Sequence, residues 1–134
     1  MALSIQFAAS CYYSSGEGIE IPTELSVGGQ KVELIAKLDT GAAHCIFERR
    51  YAEELGLDVE SGRAQLFRTM AGSFAAFEHE VTIHTPGVEF PAVVFFAQNS
   101  DFTRNFLGRS GWLNRLRIGI IDYDCRLFLS AYES

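Results

Sequence analysis

The sequence predicts an all-β chain with one or two short helices. Three observations carry this expectation. Apolar residues alternate with polar ones over short runs, as at Val32, Leu34, Ala36 and Leu38, so that one side of each strand is apolar. Turn-forming clusters divide the runs, at Gly28-Gly29, Ala71-Gly72-Ser73 and Thr85-Pro86-Gly87. Helical spacing occurs in only two brief stretches. The 134 residues, 48% hydrophobic with 11 Phe, suffice for one domain, 1–134, with a sizeable packed core.

In chain order, Ile5 and Phe7 alternate with polar neighbours and predict a short first strand. A loop follows at Ser14-Ser15-Gly16-Glu17-Gly18. Ile19, Ile21, Leu25 and Val27 predict a strand interrupted at Pro22, hence an edge strand, because proline has no N–H for the ladder. Gly28-Gly29 predicts a tight hairpin leading into a strand over Lys31 to Leu38. Phe47, Tyr51, Ala52 and Leu55 share a helical face over Glu48 to Leu55, with Gly56 as the stop and Arg49-Arg50 on a solvated face. Leu57 and Val59 lead to a turn at Glu60-Ser61-Gly62. A second hairpin spans Gln65 to Glu80, and Phe90 to Ala97 is a strongly apolar strand. Ser110 is expected to cap a second helix over Gly111 to Leu116, with Trp112, Leu113 and Leu116 inward. Ile118, Ile120 and Ile121 form a strand, Asp122 to Asp124 turn, and Leu127 and Leu129 belong to the last strand.

Composition narrows the function. A net charge of −6 argues against nucleic acid or an anionic membrane as the main partner. Cys11, Cys45 and Cys125 are odd in number and lack metal-site spacing, and His79 and His84 have no ligand-like spacing either, so neither metal nor cofactor is expected. No apolar run reaches the roughly 18 residues of a membrane span. Met1 to Tyr13 lacks a basic region followed by a clean apolar one, so no secretory leader is expected and the location reads as cytoplasmic, with reduced thiols.

One stretch stands apart. Leu34, Ile35, Ala36 and Leu38 drive toward Asp39, and Cys45, Ile46 and Phe47 resume soon after. A carboxylate between two buried apolar runs is costly to desolvate without compensating hydrogen bonds, which makes Asp39 a site candidate. The run Leu38-Asp39-Thr40-Gly41-Ala42 resembles the active-site turn of retroviral-type aspartic proteases, the retropepsins. Asn105-Phe106-Leu107-Gly108-Arg109 resembles the family's second landmark, two hydrophobic residues and a Gly, and a flap-like hairpin lies between. Leu55-Gly56-Leu57 is similar to cellular and bacterial members, and the resemblance covers about residues 19 to 130.

The resemblance implies a retropepsin-like half-barrel that acts as a homodimer. Aspartic proteolysis needs two carboxylates sharing one proton, one activating water and the other protonating the scissile carbonyl. The chain holds one Asp-Thr-Gly and no second Asp-[Ser/Thr]-Gly, so a two-fold axis must supply the mate. By resemblance, Asp39 is the catalytic acid or base and Thr40 bonds across the dimer. Gly41 permits the tight turn and close approach, and Ala42 leaves room for peptide. Ala71, Gly72 and Ser73 form the flap tip over an extended peptide substrate. Leu107, Gly108 and Arg109 form the second landmark, with Gly108 passing close against the Asp39 turn. One departure counts. Many retroviral members carry an acid after the Ala that pairs with the landmark Arg; here Ala43 and His44 follow, leaving Arg109 to pair elsewhere, for instance with Asp122 or Asp124. Two readings result: an aspartic endopeptidase, or a catalytically idle retropepsin-like domain used for dimerisation or peptide binding.

Overall fold

A computed structural model describes every residue except Ser15, Glu17 and Ser134, so the expected loop over 14–18 lies partly outside the described residues. Among the described residues ten strands form two sheets. The first strands are β1 (Ala9–Tyr12), β2 (Glu20–Val27), β3 (Gln30–Leu38) and β4 (Ile46–Phe47), followed by the one α-helix among the described residues, α1 (Arg49–Glu54). Then come β5 (Ala64–Thr69), β6 (Gly72–Thr85), β7 (Val88–Ala97), β8 (Phe106–Leu107), β9 (Leu116–Ile121) and β10 (Arg126–Ala131).

The larger sheet runs β2-β3-β8-β4-β7-β6-β5, and a further pairing of β2 with β6 bends it back on itself. The smaller sheet is β1-β10-β9. The β2–β3 hairpin turns at Gly28 and Gly29, whose φ values of 53° and 90° are open to glycine without a Cβ penalty. Alternation then places Val32, Leu34 and Ala36 in the core against Ile21 and Leu25 of β2. The strand runs straight through Pro22. It survives because Pro22 meets Ile35 on the β3 side, while on the other side β6 pairs only with Glu24 to Ser26. Proline therefore sits where the outer ladder has not yet begun.

The first strand falls later than Ile5 and Phe7 suggest. β1 takes Ala9–Tyr12 because it pairs with β10, while the Phe7 ring packs on Phe128 at 5.6 Å between centroids. The helix over Arg49–Glu54 buries Tyr51 and Ala52 and ends at Gly56, φ 78°. Arg49 does not lie on a solvated face. It pairs with Glu53 and Glu60 and donates to the Gln98 carbonyl at 3.0 Å, pinning the helix to the loops beside it. The second helix is not an α-helix but one 3-10 turn, Leu113–Arg115, without a side-chain cap. Leu116 already pairs with Ala131 as the first residue of β9, which stops further winding. Trp112 is nonetheless fully buried, and its indole N–H donates to the buried Thr85 hydroxyl at 3.2 Å. No helix is long and apolar enough to cross a membrane among the described residues.

Candidate active site

Asp39 lies directly after β3, where that strand runs parallel to β8. Its N–H donates to the Leu107 carbonyl at 3.0 Å, so the second landmark fixes the start of the turn. The turn then closes on itself: the Ala42 N–H donates to the Asp39 carbonyl at 3.1 Å, and the Gly41 N–H donates to Asp39 Oδ1 at 2.9 Å. The carboxylate is thus half-buried and held by a charge-assisted bond from the backbone. A Cβ on Gly41 would come within 3.3 Å of that oxygen, which accounts for glycine beside the acid.

Gly108 explains how the two landmarks fit together. A Cβ there would lie 2.3 Å from the His44 carbonyl oxygen and 2.8 Å from that of Ala42. Only glycine lets β8 approach so closely. The approach is then sealed by Arg109 N–H to the Ala42 carbonyl at 2.9 Å and Ser110 N–H to the Ala43 carbonyl at 2.8 Å. Cys45 sits beneath, accepting from the Gly108 N–H at 3.4 Å, and burial pushes its thiol pKa up to about 11. A thiol so protonated at neutral pH is a core residue rather than a nucleophile.

A cleft of about 850 Å³ opens over Asp39. Gly41, Ala42, Ala43 and His44 of the turn line it, with the β5 strand and its Met70–Ala71 corner above. The hairpin turns one residue earlier than the small residues suggest: Thr69 pairs with Gly72, so Met70 and Ala71 form the corner and Gly72 and Ser73 open β6. Ala71 lines the cleft; Gly72 and Ser73 do not. Beneath it, Ile46, Ala76 and Phe95 form a small core of their own, with Phe67, Phe74 and Phe102 packed against it. The rings touch in sequence. Phe67 stacks on Phe74 at 5.4 Å, Phe74 meets Phe102 at 4.8 Å, and Phe102 meets Phe106 edge-on at 6.5 Å. His44 is partly exposed and stands edge-on to Phe95 at 5.0 Å and Phe67 at 5.8 Å.

Thr40 is exposed, and within the described chain its hydroxyl has no partner. Leu107 is fully buried; Arg109 is exposed and pairs with neither Asp122 nor Asp124. Asp122 instead accepts from the Tyr13 hydroxyl at 2.5 Å. Sequence reasoning missed the wall formed by Asp101, Phe102, Thr103 and Arg104. The available signal was Phe102, an aromatic in an otherwise polar loop. It also missed a grouping away from the cleft: Glu24, His84 and Glu89, direct cross-strand neighbours, offer ligand atoms within 4.8 Å of one another. This group borders a second, shallower hollow of about 650 Å³ that shares no residue with the Asp39 cleft.

The site is thus an acid at a strand end, held by its own turn and by a parallel neighbour, under a hairpin. The family profile described as aspartyl protease matches residues 23–121. The chain belongs to the aspartyl protease family. The fold agrees: it is similar to a retropepsin-like aspartic protease from Rickettsia conorii, with a TM-score of 0.59 and 21% identity over 83% of this chain and 89% of that one. It is also similar to the EIAV protease complexed with the inhibitor HBY-793, with a TM-score of 0.56 and 20% identity over 74% of this chain and 88% of that one. No curated protein sequence matches it.

Proposed function

We propose that the protein is an aspartic endopeptidase whose catalytic centre forms when two copies bring their Asp39 side chains together. The observation that carries this reading is the half-site itself. Asp39 is oriented by the Gly41 N–H and by β8 at the floor of a large cleft, yet among the described residues of its own chain no equally ordered acid joins it there. Asp101 lines the same cleft, but it is exposed on a loop and its carboxylate has no hydrogen bond to hold it. A two-fold axis through the Asp39 turns supplies an identical, equally ordered carboxylate. The exposed Thr40 hydroxyls, unpartnered within one chain, are then available to bond across the axis.

In the assembled site the two carboxylates share one proton about a water molecule. The ionised one takes a proton from that water as its oxygen attacks the scissile carbonyl carbon. The protonated one donates to the carbonyl oxygen, giving a tetrahedral diol. Collapse breaks the C–N bond as the leaving amine gains a proton, and the dyad returns to its starting state. The β5–β6 hairpin covers the peptide and excludes water, and its edge offers backbone N–H groups to an extended chain. Substrate side chains of apolar character fit the ring-lined wall of Phe67, Phe74, Phe102 and Phe106.

A second reading, an idle domain for dimerisation or peptide binding, draws on Ala43 and the unpaired Arg109, which leave the outer peptide contacts weaker than in many retroviral relatives. Two variants separate these readings. Asp39→Asn keeps the Gly41 hydrogen bond and is expected to abolish hydrolysis of a peptide library between pH 4 and 7, whereas Asp101→Asn is expected to retain it. Undiminished cleavage by Asp39→Asn rules out the enzyme reading. A sedimentation profile that stays monomeric at micromolar concentration, with and without peptide, rules out the shared site.

A further inference from the structure

The cleft is less acidic than the chain as a whole, with Arg68 and Arg104 set against Asp39 and Asp101. The protein has a net charge of −6, and several of its basic side chains are already engaged. Lys31 pairs with Glu24, Arg49 with Glu53 and Glu60, and Arg50 with Glu48. Arg115 bonds to the Pro91 carbonyl and lies over the Phe90 ring, and Arg126 stacks on Phe128. Arg68 and Arg104 differ. Both are exposed, both line the Asp39 cleft, and neither guanidinium has an ion pair among the described residues. They rise from different walls, Arg68 from β5 of the hairpin and Arg104 from the loop before β8. The rings of Phe67, Phe74 and Phe102 line the same cleft.

We propose that Arg68 and Arg104 select peptides in which apolar residues at the cleavage point are flanked by aspartate or glutamate. Guanidinium groups take carboxylates with fixed, often bidentate geometry, and two unpaired ones beside an apolar wall discriminate by charge as well as by shape. Within one chain Asp101 and Asp39 are the opposing charges in the cleft, two carboxylates against two arginines. In a two-fold assembly, four arginines face two Asp101 carboxylates and the single charge of the Asp39 pair, so the cleft is cationic within an anionic protein. Symmetry places the preference on both sides of the scissile bond. A lysine or arginine at the same peptide positions meets repulsion instead, which excludes basic segments.

This inference rests on the peptidase reading, so its test has a binding arm that does not need catalysis. Two fluorogenic peptides share a Phe-Leu centre and differ only in having Glu or Lys on both flanks. At pH 6 and low salt, kcat/KM for the Glu peptide is expected to exceed that for the Lys peptide by about tenfold, at roughly threefold for each exposed charge pair. The gap is expected to narrow as salt rises. The double variant Arg68→Glu, Arg104→Glu is expected to reverse the order. The same two peptides, labelled and titrated into the Asp39→Asn protein by fluorescence anisotropy, are expected to show the same ranking of affinities, and the same reversal with both arginines changed. Equal affinities, or a ranking that survives the reversal of both charges, overturns charge selection whether or not the wild-type chain cleaves either peptide. Loss of cleavage with intact charge-ranked binding overturns only the peptidase reading.

Discussion

Gly108→Ala tests how the candidate site is built. The added Cβ meets backbone on two sides, 2.3 Å from the His44 carbonyl oxygen and 2.8 Å from that of Ala42. The nearer approach is about 1 Å short of ordinary contact, and no flexible side chain can yield, so the Asp39 turn or β8 must move. Overpacking of this kind costs about 1–3 kcal/mol. The movement also strains the Arg109–Ala42 and Ser110–Ala43 hydrogen bonds, each contributing about 1 kcal/mol. A loss of about 3–5 kcal/mol follows, which for a chain of this size lowers Tm by about 11–18 °C. The assay is differential scanning calorimetry at one fixed chain concentration, because association makes Tm depend on concentration. Gly28→Asn is the contrast: its φ of 53° suits asparagine and a Cβ there meets nothing within 4 Å, so Tm is expected to stay within about 2 °C. A Gly108→Ala protein that melts as the wild type does, with its Asp39 turn working normally, refutes the close-approach argument.

Other outcomes follow from the same structure. Thr85→Val removes the acceptor of the buried Trp112 N–H and is expected to cost about 1–3 kcal/mol in urea unfolding followed by emission of the single Trp; a loss under about 0.5 kcal/mol contradicts that bond. With its pKa raised to about 11 by burial, Cys45 is expected to resist a disulfide-exchange reagent at pH 8 until the protein is unfolded, and prompt labelling of all 3 cysteines would count against it. Tyr13 has its pKa raised to about 12, first by its hydrogen bond to Asp122 and then by burial. The fold favours the protonated phenol, so this stabilisation is complete below pH 10 and lost as pH rises through about 12. In an ultraviolet titration Tyr13→Phe is expected to remove the last-titrating of the 5 tyrosines, and an unchanged late phase would place that phase elsewhere.

The legible parts of the fold were those fixed by local chemistry. Gly28-Gly29 marks its hairpin because both positions take positive φ, and alternation through Val32, Leu34 and Ala36 then sets which face of β3 is buried. Asp39 was legible as a charge stranded between apolar runs. Where tertiary pairing decides, local signals misled. Pro22 reads as a break, yet the ladder leaves room for it; Gly111 to Leu116 reads as a helix, yet pairing of Leu116 with Ala131 draws the chain into β9. The small residues Ala71-Gly72-Ser73 suggested a hairpin tip, but register puts Met70 and Ala71 at the corner. Arg49-Arg50 reads as a solvated face, yet the partners of Arg49 include Glu60 and the Gln98 carbonyl, from loops that no local pattern encodes.

The most direct measurement is calorimetric titration of the protein with a statine-type peptide, whose hydroxyl-bearing centre imitates the tetrahedral diol and should bind tightly to a two-carboxylate site. A centre built from Asp39 of two copies predicts one inhibitor per two chains, with binding lost in Asp39→Asn. Saturation at one inhibitor per chain, in a complex that sediments as a monomer, would contradict it.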